Sequence, residues 1–275
     1  GVAFDRMREL VAERSADNTV RSRSLPIDRR DRRARPVAAR PVRVPLDELS
    51  VETLTARYRH GEGATAGITD VSFTVRRGEF VVVTGPVGSG KSTMLRALLG
   101  LAWNADVSGT VRWNGSPIAD RAAFMVPPNA AFLSQVPQLI SDSVADNVAL
   151  GPTDDARVRS ALERAAIADD VDEMADGVAT LVGPRGLRLS GGQRQRLATA
   201  RALVHEPELI VLDDVSSALD VETEVQLWDN LAAAGITVIA VSHRAVAFDR
   251  ATQILRLDGG LVIGGSAVRG RQAAS

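Results

Sequence analysis

The sequence contains no cysteine, only one tyrosine, and only one lysine among its 33 basic residues. The lack of cysteine excludes disulfide bonds and thiolate metal sites. No apolar run approaches the roughly 18 residues that a membrane-spanning helix needs, and no secretory signal peptide is visible. With 45% hydrophobic residues and a net charge of −1 over 275 residues, the composition indicates one large or two small globular domains.

Positive charge is concentrated at the N-terminal end. Residues 1–45 contain 12 arginines and six acidic residues. Residues 1–14 place apolar side chains at helical spacing, which predicts a short amphipathic helix; they are Phe4, Met7, Leu10 and Val11. Clustered arginines and four prolines follow, so we expect residues 1–48 to form a basic linker. Its arginines either attract an anionic membrane surface or are simply solvated.

The single lysine stands in a glycine-rich run. The run reads Gly85, Pro86, Val87, Gly88, Ser89, Gly90, Lys91, Ser92, Thr93. This is the pattern of a phosphate-binding loop, in which glycines allow backbone N–H groups to surround a phosphate. The compact ammonium of Lys91 suits the β- and γ-phosphates of a nucleotide better than a planar guanidinium does. The Ser92 hydroxyl is a candidate Mg²⁺ ligand.

The residues around the loop predict a strand before it and a helix after it. Phe80–Thr84 is a short apolar run typical of a buried parallel strand, and residues 92–99 favour a helix that Gly100 can end. Further strands are predicted at 51–58, 68–75, 209–212, 237–241 and 253–257. Helices are predicted between 152 and 177, with Thr153 as an N-cap.

A second motif opens another helix. It reads Leu189, Ser190, Gly191, Gly192, Gln193. With the phosphate loop, it makes residues 49–265 resemble the ATP-binding cassette (ABC) ATPases. The resemblance implies an α/β P-loop NTPase (RecA-like) core, an antiparallel β subdomain and an inserted helical subdomain near residues 136–192, in a nucleotide-binding domain spanning 49–275.

The resemblance extends to smaller motifs. Asp213 ends an apolar strand like the Walker B aspartate and, with Ser92 and Gln135, is expected to bind Mg²⁺. Gln135 matches the Q-loop glutamine and His243 the switch histidine, and both are candidate catalytic residues with Asp214. The D-loop motif is matched by Ser217, Ala218, Leu219 and Asp220. Tyr58 matches the aromatic that stacks on adenine, although strand packing is its alternative role.

Two positions depart from the family pattern. The residue after the Walker B aspartate is usually glutamate, and here it is Asp214, one methylene shorter. A shorter carboxylate can still act as a base, but misplacement can cost about 100-fold in rate, so slow hydrolysis is expected. In the run 183–186, which resembles the exporter X-loop, Pro184 replaces the usual glutamate.

Among ABC proteins, the features favour an exporter. The chain lacks an initial methionine, its N-terminal helix resembles the segment after an exporter's last membrane helix, and residues 141–151 resemble the exporter pattern after the Q-loop. We therefore expect a transmembrane domain in the same polypeptide and a cassette on the cytoplasmic side of the membrane. The alternatives are the ATPase subunit of an importer and a non-transport ABC ATPase.

Nucleic acid is not an expected partner. Chromosome and DNA-repair relatives place long coiled coils between the two motifs. Here the segment between Ser92 and Ser190 is short and has no sustained heptad repeat, so it does not predict a coiled coil. The resemblance instead implies a head-to-tail dimer of cassettes. Residues 190–192 of one would then close over ATP held by Lys91 and Ser92 of the other, whether the second cassette is identical or different.

Overall fold

The computed structural model describes residues 41–60 and 64–267. The chain divides into two units, residues 1–39 and 40–275, and all described residues belong to the second. The predicted N-terminal helix and residues 1–40 of the predicted linker lie outside the described residues. Within the described ranges, no helix is long and apolar enough to cross a membrane.

The described residues form ten strands and eight α-helices. The strands are β1 Glu48–His60, β2 Ala64–Arg76, β3 Phe80–Thr84, β4 Ala105–Trp113, β5 Ser116–Pro117, β6 Ala130–Leu133, β7 Leu209–Asp213, β8 Thr237–Val241, β9 Gln253–Asp258 and β10 Leu261–Ala267. The helices are α1 Lys91–Leu98, α2 Arg121–Phe124, α3 Val144–Ala149, α4 Asp155–Arg164, α5 Ala168–Asp172, α6 Gly191–Leu203, α7 Val221–Ala233 and α8 Ala245–Arg250.

Two sheets organise these elements. The larger has the order β10-β9-β3-β8-β7-β6, with parallel pairing from β9 to β6 and an antiparallel β10 at its edge. The smaller is antiparallel, with the order β2-β1-β4-β5. The predicted α/β P-loop core with an antiparallel β subdomain is confirmed.

The central strands are buried on both faces because they consist almost entirely of apolar residues. Successive side chains along a strand point to opposite faces of the sheet, so consecutive residues of one strand pack into different hydrophobic cores. Val82 and Ile210 pack into a core with the helical segment. Val81, Val83 and Val211 pack into the other, against α1 and the antiparallel sheet.

The helical segment is inserted between β6 and β7, which are adjacent and parallel. It contains α3, α4, α5 and two short 3₁₀ turns, and α6 leads back to the sheet. The inserted helical subdomain predicted from the sequence is confirmed. The prediction that Thr153 caps α4 is wrong. The cap is Asp154, whose carboxylate accepts hydrogen bonds from the N–H groups of Ala156 and Arg157.

Helix α1 ends at Leu98, and a glycine turn follows its C-cap residue Leu99. Gly100 has a φ of 74°, and its N–H donates to the Ala97 carbonyl. The N–H of Leu101 donates to the Arg96 carbonyl at 2.7 Å. This double pattern is a Schellman motif, which needs a left-handed residue that glycine adopts without a steric cost. The predicted helix stop at Gly100 is confirmed.

The residues just before β1 are fastened to the connection between α6 and β7. Arg43 donates to the Glu206 carbonyl at 2.7 Å and to the Glu208 carboxylate at 3.2 Å. The second Glu208 oxygen accepts from the Leu46 N–H at 3.2 Å. Although the sequence analysis places residues 43–46 in the linker, these bonds attach them to the folded domain.

Candidate ATP site

The glycine-rich loop joins β3 to α1 and passes very close to neighbouring backbone. A Cβ on Gly85 would lie 1.9 Å from the Leu257 carbonyl oxygen. A Cβ on Gly90 would lie 2.8 Å from Ile68 Cγ2, and Gly90 has a φ of 100°. Any side chain at these positions would force the loop open. The loop therefore needs glycine for its path, and it delivers the chain to the N-terminus of α1, where unpaired N–H groups favour anions.

Lys91, the first residue of α1, folds its side chain over this loop. Its Nζ donates to the Gly85 carbonyl at 2.7 Å and to the Pro86 carbonyl at 2.8 Å. Partial burial lowers the pKa of the Lys91 ammonium, whereas the nearby charges of Asp214 and Asp213 oppose that shift. The ammonium thus lies between the loop and two carboxylates.

Ser92 and Asp213 meet beneath the loop. Ser92 is in the first turn of α1, and Asp213 is the last residue of β7, 3% exposed. The Ser92 hydroxyl donates to Asp213 Oδ1 at 3.0 Å. The parallel arrangement of β3 and β7 brings both residues to the same edge of the sheet, where ligands of open α/β sheets bind.

Asp214 and Gln135 come together at the ends of neighbouring strands. Gln135 Nε2 donates to Asp214 Oδ2 at 3.2 Å. Burial raises the pKa of the Asp214 carboxyl and the Asp213 charge adds to this effect, whereas His243, the Gln135 hydrogen bond and Lys91 oppose it. Asp214 also has a φ of 53°, in the left-handed region that aspartate enters more readily than most residues.

His243 follows β8 and faces the end of β3. Its Nδ1 lies 3.4 Å from the Thr84 hydroxyl oxygen. The sequence analysis did not single out Thr84, although a threonine that ends the buried run 80–84 just before the loop is a detectable signal. Asp214 interacts electrostatically with His243 and accepts a hydrogen bond from Gln135, so the candidate catalytic residues form one group.

The other ATP-binding candidates lie in the loop, in α1 and in β1. Val87 at the tip of the loop is fully exposed, and Ser89 is buried. Thr93 follows Ser92 in α1. Tyr58 lies half-buried near the end of β1, in register with Ala66 on β2 and Ala105 on β4.

The second motif caps α6. The Ser190 hydroxyl accepts from the Gln193 N–H at 3.1 Å, and the Gln193 side-chain oxygen accepts from the Ser190 N–H at 2.9 Å. This reciprocal capping box fixes the first turn of the helix. Leu189, just before it, is buried. The Ser190 oxygen accepts in this arrangement, which leaves its O–H available to donate.

A partly buried ion pair supports that turn. Arg196 donates to both carboxylate oxygens of Asp170, at 2.6 and 3.1 Å, and Gln193 Nε2 donates to Asp170 at 3.0 Å. Partial burial would raise the pKa of Asp170, but the bonds from Arg196 and Gln193 hold it below its ordinary value. The sequence analysis missed Asp170, since α5 and α6 meet only through tertiary packing.

The two glycines of the second motif lie against residues 217–220, the D-loop. A Cβ on Gly192 would lie 3.1 Å from the Ala218 carbonyl oxygen, and one on Gly191 3.6 Å from the Ala218 side chain. Leu219, the third D-loop residue, is buried. The glycines therefore allow a close contact between α6 and the D-loop of the same chain.

The D-loop also contacts the candidate catalytic group. The Ser217 hydroxyl donates to the Asp214 carbonyl at 3.0 Å. At its other end, Asp220 caps α7 by accepting from the Thr223 N–H at 2.8 Å. Bonds from Thr223 hold the pKa of Asp220 below its ordinary value. The D-loop thus runs from the candidate base to a helix cap.

Comparison with known sequences decides the family. The sequence model described as ABC transporter matches residues 68–217, more than half of the chain. The chain belongs to the ABC transporter family. Its matched region begins in β2 and ends in the D-loop, so it includes the phosphate loop and the second motif, which in this family is the signature.

Several curated relatives of the cassette share a name. An ATP-dependent lipid A-core flippase from Burkholderia orbicola (strain AU 1054) is 39% identical over 216 residues, which is 78% of this chain and 36% of the relative. A protein of the same name from Ralstonia nicotianae is 38% identical over 223 residues, which is 78% of this chain and 37% of the relative. The chain therefore spans little more than a third of these relatives.

A solved structure has the same fold. It is described as a bacterial Atm1-family ABC exporter with ATP bound, and it superposes with a TM-score of 0.72 at 30% identity. The match covers 84% of this chain and 40% of that one.

Proposed function

We propose that this chain is the nucleotide-binding domain of an ABC exporter, in which it binds and hydrolyses ATP. The observation that carries the proposal is the set of paired contacts at one edge of the parallel sheet. The Lys91 ammonium donates to the loop carbonyls, the Ser92 hydroxyl donates to Asp213, and the Gln135 amide donates to Asp214. The Thr84 and His243 side chains are in contact beside them. These pairs surround the N-terminus of α1, a natural position for a triphosphate.

The loop and α1 bind the phosphates. Backbone N–H groups in the loop and the first turn of α1 point toward the anion, and the Lys91 ammonium neutralises charge on the β- and γ-phosphates. The remaining loop residues contribute mainly through their backbone. Tyr58 offers a ring face to adenine from the antiparallel sheet, a contact that does not depend on a hydrogen-bond pattern.

The residues present fit Mg²⁺. A hydroxyl and a carboxylate oxygen, from Ser92 and Asp213, lie 3.0 Å apart, and oxygen donors of this kind are those that Mg²⁺ prefers. Gln135, whose Nε2 donates to the neighbouring Asp214, carries an amide oxygen as a third candidate ligand. When bound with ATP, the ion would neutralise charge on the phosphate oxygens.

Asp214 is the base in this proposal. Its carboxylate accepts the proton of the attacking water, and the raised pKa that burial gives it favours that transfer. Gln135 holds the carboxylate through its amide. A Thr84 hydroxyl that donates to Nδ1 of His243 leaves the imidazole proton on Nε2, which can then donate to the γ-phosphate.

The signature acts on a second cassette. The Ser190 hydroxyl keeps its O–H free to donate, and it lies with Gly191 and Gly192 at the N-terminus of α6, where unpaired N–H groups favour a phosphate from another chain. Two cassettes in head-to-tail arrangement would thus enclose two ATP molecules, whether the copies are identical or different. Hydrolysis removes the γ-phosphate contacts and loosens the dimer, a switch of the kind that nucleotides commonly drive.

The membrane part is proposed from the relatives and from one groove. The named relatives are almost three times as long as the matched segment, so we infer a transmembrane domain in the same polypeptide, with the cassette on the cytoplasmic side. A groove of about 470 Å³ lies between α6 and the residues after Gln135, with Leu101, Pro137 and Leu150 in its lining. This apolar groove, beside the exposed Leu150, suits a helix of the membrane domain.

Ser190→Arg tests the head-to-tail arrangement. The bulky cation should block the phosphate of the opposite cassette, so ATP-driven dimerisation and hydrolysis should be lost while the monomer still binds ATP. Light scattering after size exclusion, with and without ATP, measures the first effect, and titration calorimetry the second.

Ser143→Arg is the matched control for Ser190→Arg. Ser143 also caps a helix, accepting from the Asp146 N–H at 3.0 Å, so both variants lose a cap at a cost of about 1 kcal/mol. Only the signature variant should stop dimerisation. Loss of ATP binding by the Ser190→Arg monomer would contradict the arrangement.

Tyr58→Ala tests the adenine contact. Loss of stacking should weaken ATP binding by about 1–3 kcal/mol, measured by titration calorimetry. Tyr58→Phe keeps the ring and should bind as wild type does. An affinity that does not change in Tyr58→Ala would assign Tyr58 to strand packing.

A further inference from the structure

Arg244 follows the switch histidine and contacts the backbone on both sides of Ser217 and Ala218 in the D-loop. Its Nη1 donates to the Ser216 carbonyl at 2.8 Å and to the Leu219 carbonyl at 2.5 Å. These carbonyls flank Ser217 and Ala218. One guanidinium nitrogen therefore joins the residues on either side of Ser217 and Ala218 to the residue next to His243.

A buried carboxylate fixes the guanidinium. Arg244 Nε lies 2.7 Å from Glu224 Oε2, and the Glu224 side chain is 0% exposed. The other Glu224 oxygen accepts from Trp228 Nε1 at 3.1 Å. A carboxylate buried this deeply needs a cation beside it. Because the guanidinium is planar and carries five N–H donors, one ion pair can orient it toward both carbonyls.

The signature helix holds the middle of the same loop. Gln195 on α6 is 7% exposed, and its side-chain oxygen accepts from the Ala218 N–H at 3.3 Å. The D-loop is thus gripped on one side by the switch region and on the other by the helix that carries Ser190. A displacement of residues 242–244 would be passed to the signature through these bonds.

We propose that Arg244 is a positioning residue that couples His243 to the D-loop of its own chain. The proposal rests on the proposed ATPase function. Arg244 has no hydrogen bond or ion pair with the phosphate loop among the contacts of the described residues. It therefore acts on turnover, through the geometry of residues 216–219 and Asp214, and leaves ATP affinity nearly unchanged.

Arg244→Gln and Arg244→Lys test this role. Arg244→Gln should lower kcat about tenfold or more while KM for ATP stays within about threefold, because a small displacement at the reacting groups acts on the chemical step. Arg244→Lys keeps a charge beside Glu224 but lacks the planar fork, so its kcat should be intermediate. Hydrogen exchange of the amides of residues 216–219 should be faster in Arg244→Gln, with or without ATP.

Arg250→Gln is the matched control. Arg250, the last residue of α8, likewise pairs with a carboxylate on α7, with its Nε 2.8 Å from Asp229 Oδ1, and its guanidinium also donates to the Val246 carbonyl of its own helix. This variant should keep the kcat and the D-loop exchange of the wild type. If Arg244→Gln does not fold, the double variant with Glu224→Gln removes the unpaired buried charge and takes its place.

The proposal is overturned if Arg244→Gln and Arg250→Gln have the same kcat and the same D-loop exchange. It is also overturned if KM rises as much as kcat falls, since the residue would then act on ATP binding. A wild-type protein without ATPase activity would contradict the proposed function instead. In that case the exchange rates of residues 216–219 still decide whether Arg244 holds the loop.

Discussion

Lys91→Ala is expected to lower ATP hydrolysis by at least about 100-fold. The ammonium is the side-chain cation at the phosphate loop, and removing one preorganised electrostatic contact of this kind typically costs about 100- to 1,000-fold in rate. The variant also loses the bonds that Nζ donates to the Gly85 and Pro86 carbonyls. Phosphate release measured at saturating ATP gives the rate, and calorimetry gives the affinity.

Two controls separate charge from shape and from helix stability. Lys91→Arg keeps the charge but introduces a planar guanidinium, and it should remain strongly impaired because the fork does not fit between the phosphates. Arg96→Ala removes an exposed basic residue from the last turn of the same helix and should hydrolyse ATP as the wild type does. A rate in Lys91→Ala within about tenfold of the wild type would rule out the phosphate-loop assignment.

Asp214→Glu is expected to raise turnover about tenfold, and Asp214→Asn to lower it about 100-fold or more while ATP still binds. The added methylene extends the carboxylate toward the water near Gln135 and His243, where small misplacements matter greatly. Asparagine cannot accept the proton, and general bases contribute at least about 100-fold. Asp214→Asn should therefore accumulate a closed dimer with ATP.

The backbone at this position sets a limit on the gain. Asp214 has a φ of 53°, and the left-handed region costs most L-residues about 1–2 kcal/mol. Since aspartate tolerates this region better than glutamate, Asp214→Glu should melt at a slightly lower temperature even as it works faster. Asp258→Glu makes the same change at the end of β9, on an exposed side chain, and should alter neither property.

A competing hypothesis is that the site is degenerate and depends on a different partner cassette. Asp214→Glu in the isolated domain would then change little, and activity would emerge only after mixing with the partner. Equal turnover numbers for wild type, Asp214→Glu and Asp214→Asn would falsify the proposed role of Asp214 as base.

Local sequence was sufficient for the central strands. The runs at 80–84, 209–212 and 237–241 are apolar and β-branched because both faces are buried, so their pattern is unambiguous. The predicted strands at 51–58 and 68–75 were too short by several residues at their ends. Those ends pair through backbone bonds, which leave little trace in the side-chain pattern.

Contacts between distant elements could not be predicted in the same way. The sequence analysis assigned the cap of α4 to Thr153, and Asp154 makes it instead, because only the path of the chain decides which side chain reaches the free N–H groups. The bonds from Arg244 to residues 216 and 219 depend on how β8 and α7 pack. Thr84 beside His243 similarly requires β3 and β8 to be neighbours.

The attachment of Arg43 to Glu206 and Glu208 has a mechanical consequence. A pulling force on the chain upstream of residue 43 would be carried first by these bonds, and only afterwards by β1. They end where α6 ends, so the load would be delivered to the far end of the helix whose first turn is the signature. Tension in the incoming chain is therefore passed to the C-terminal end of that helix.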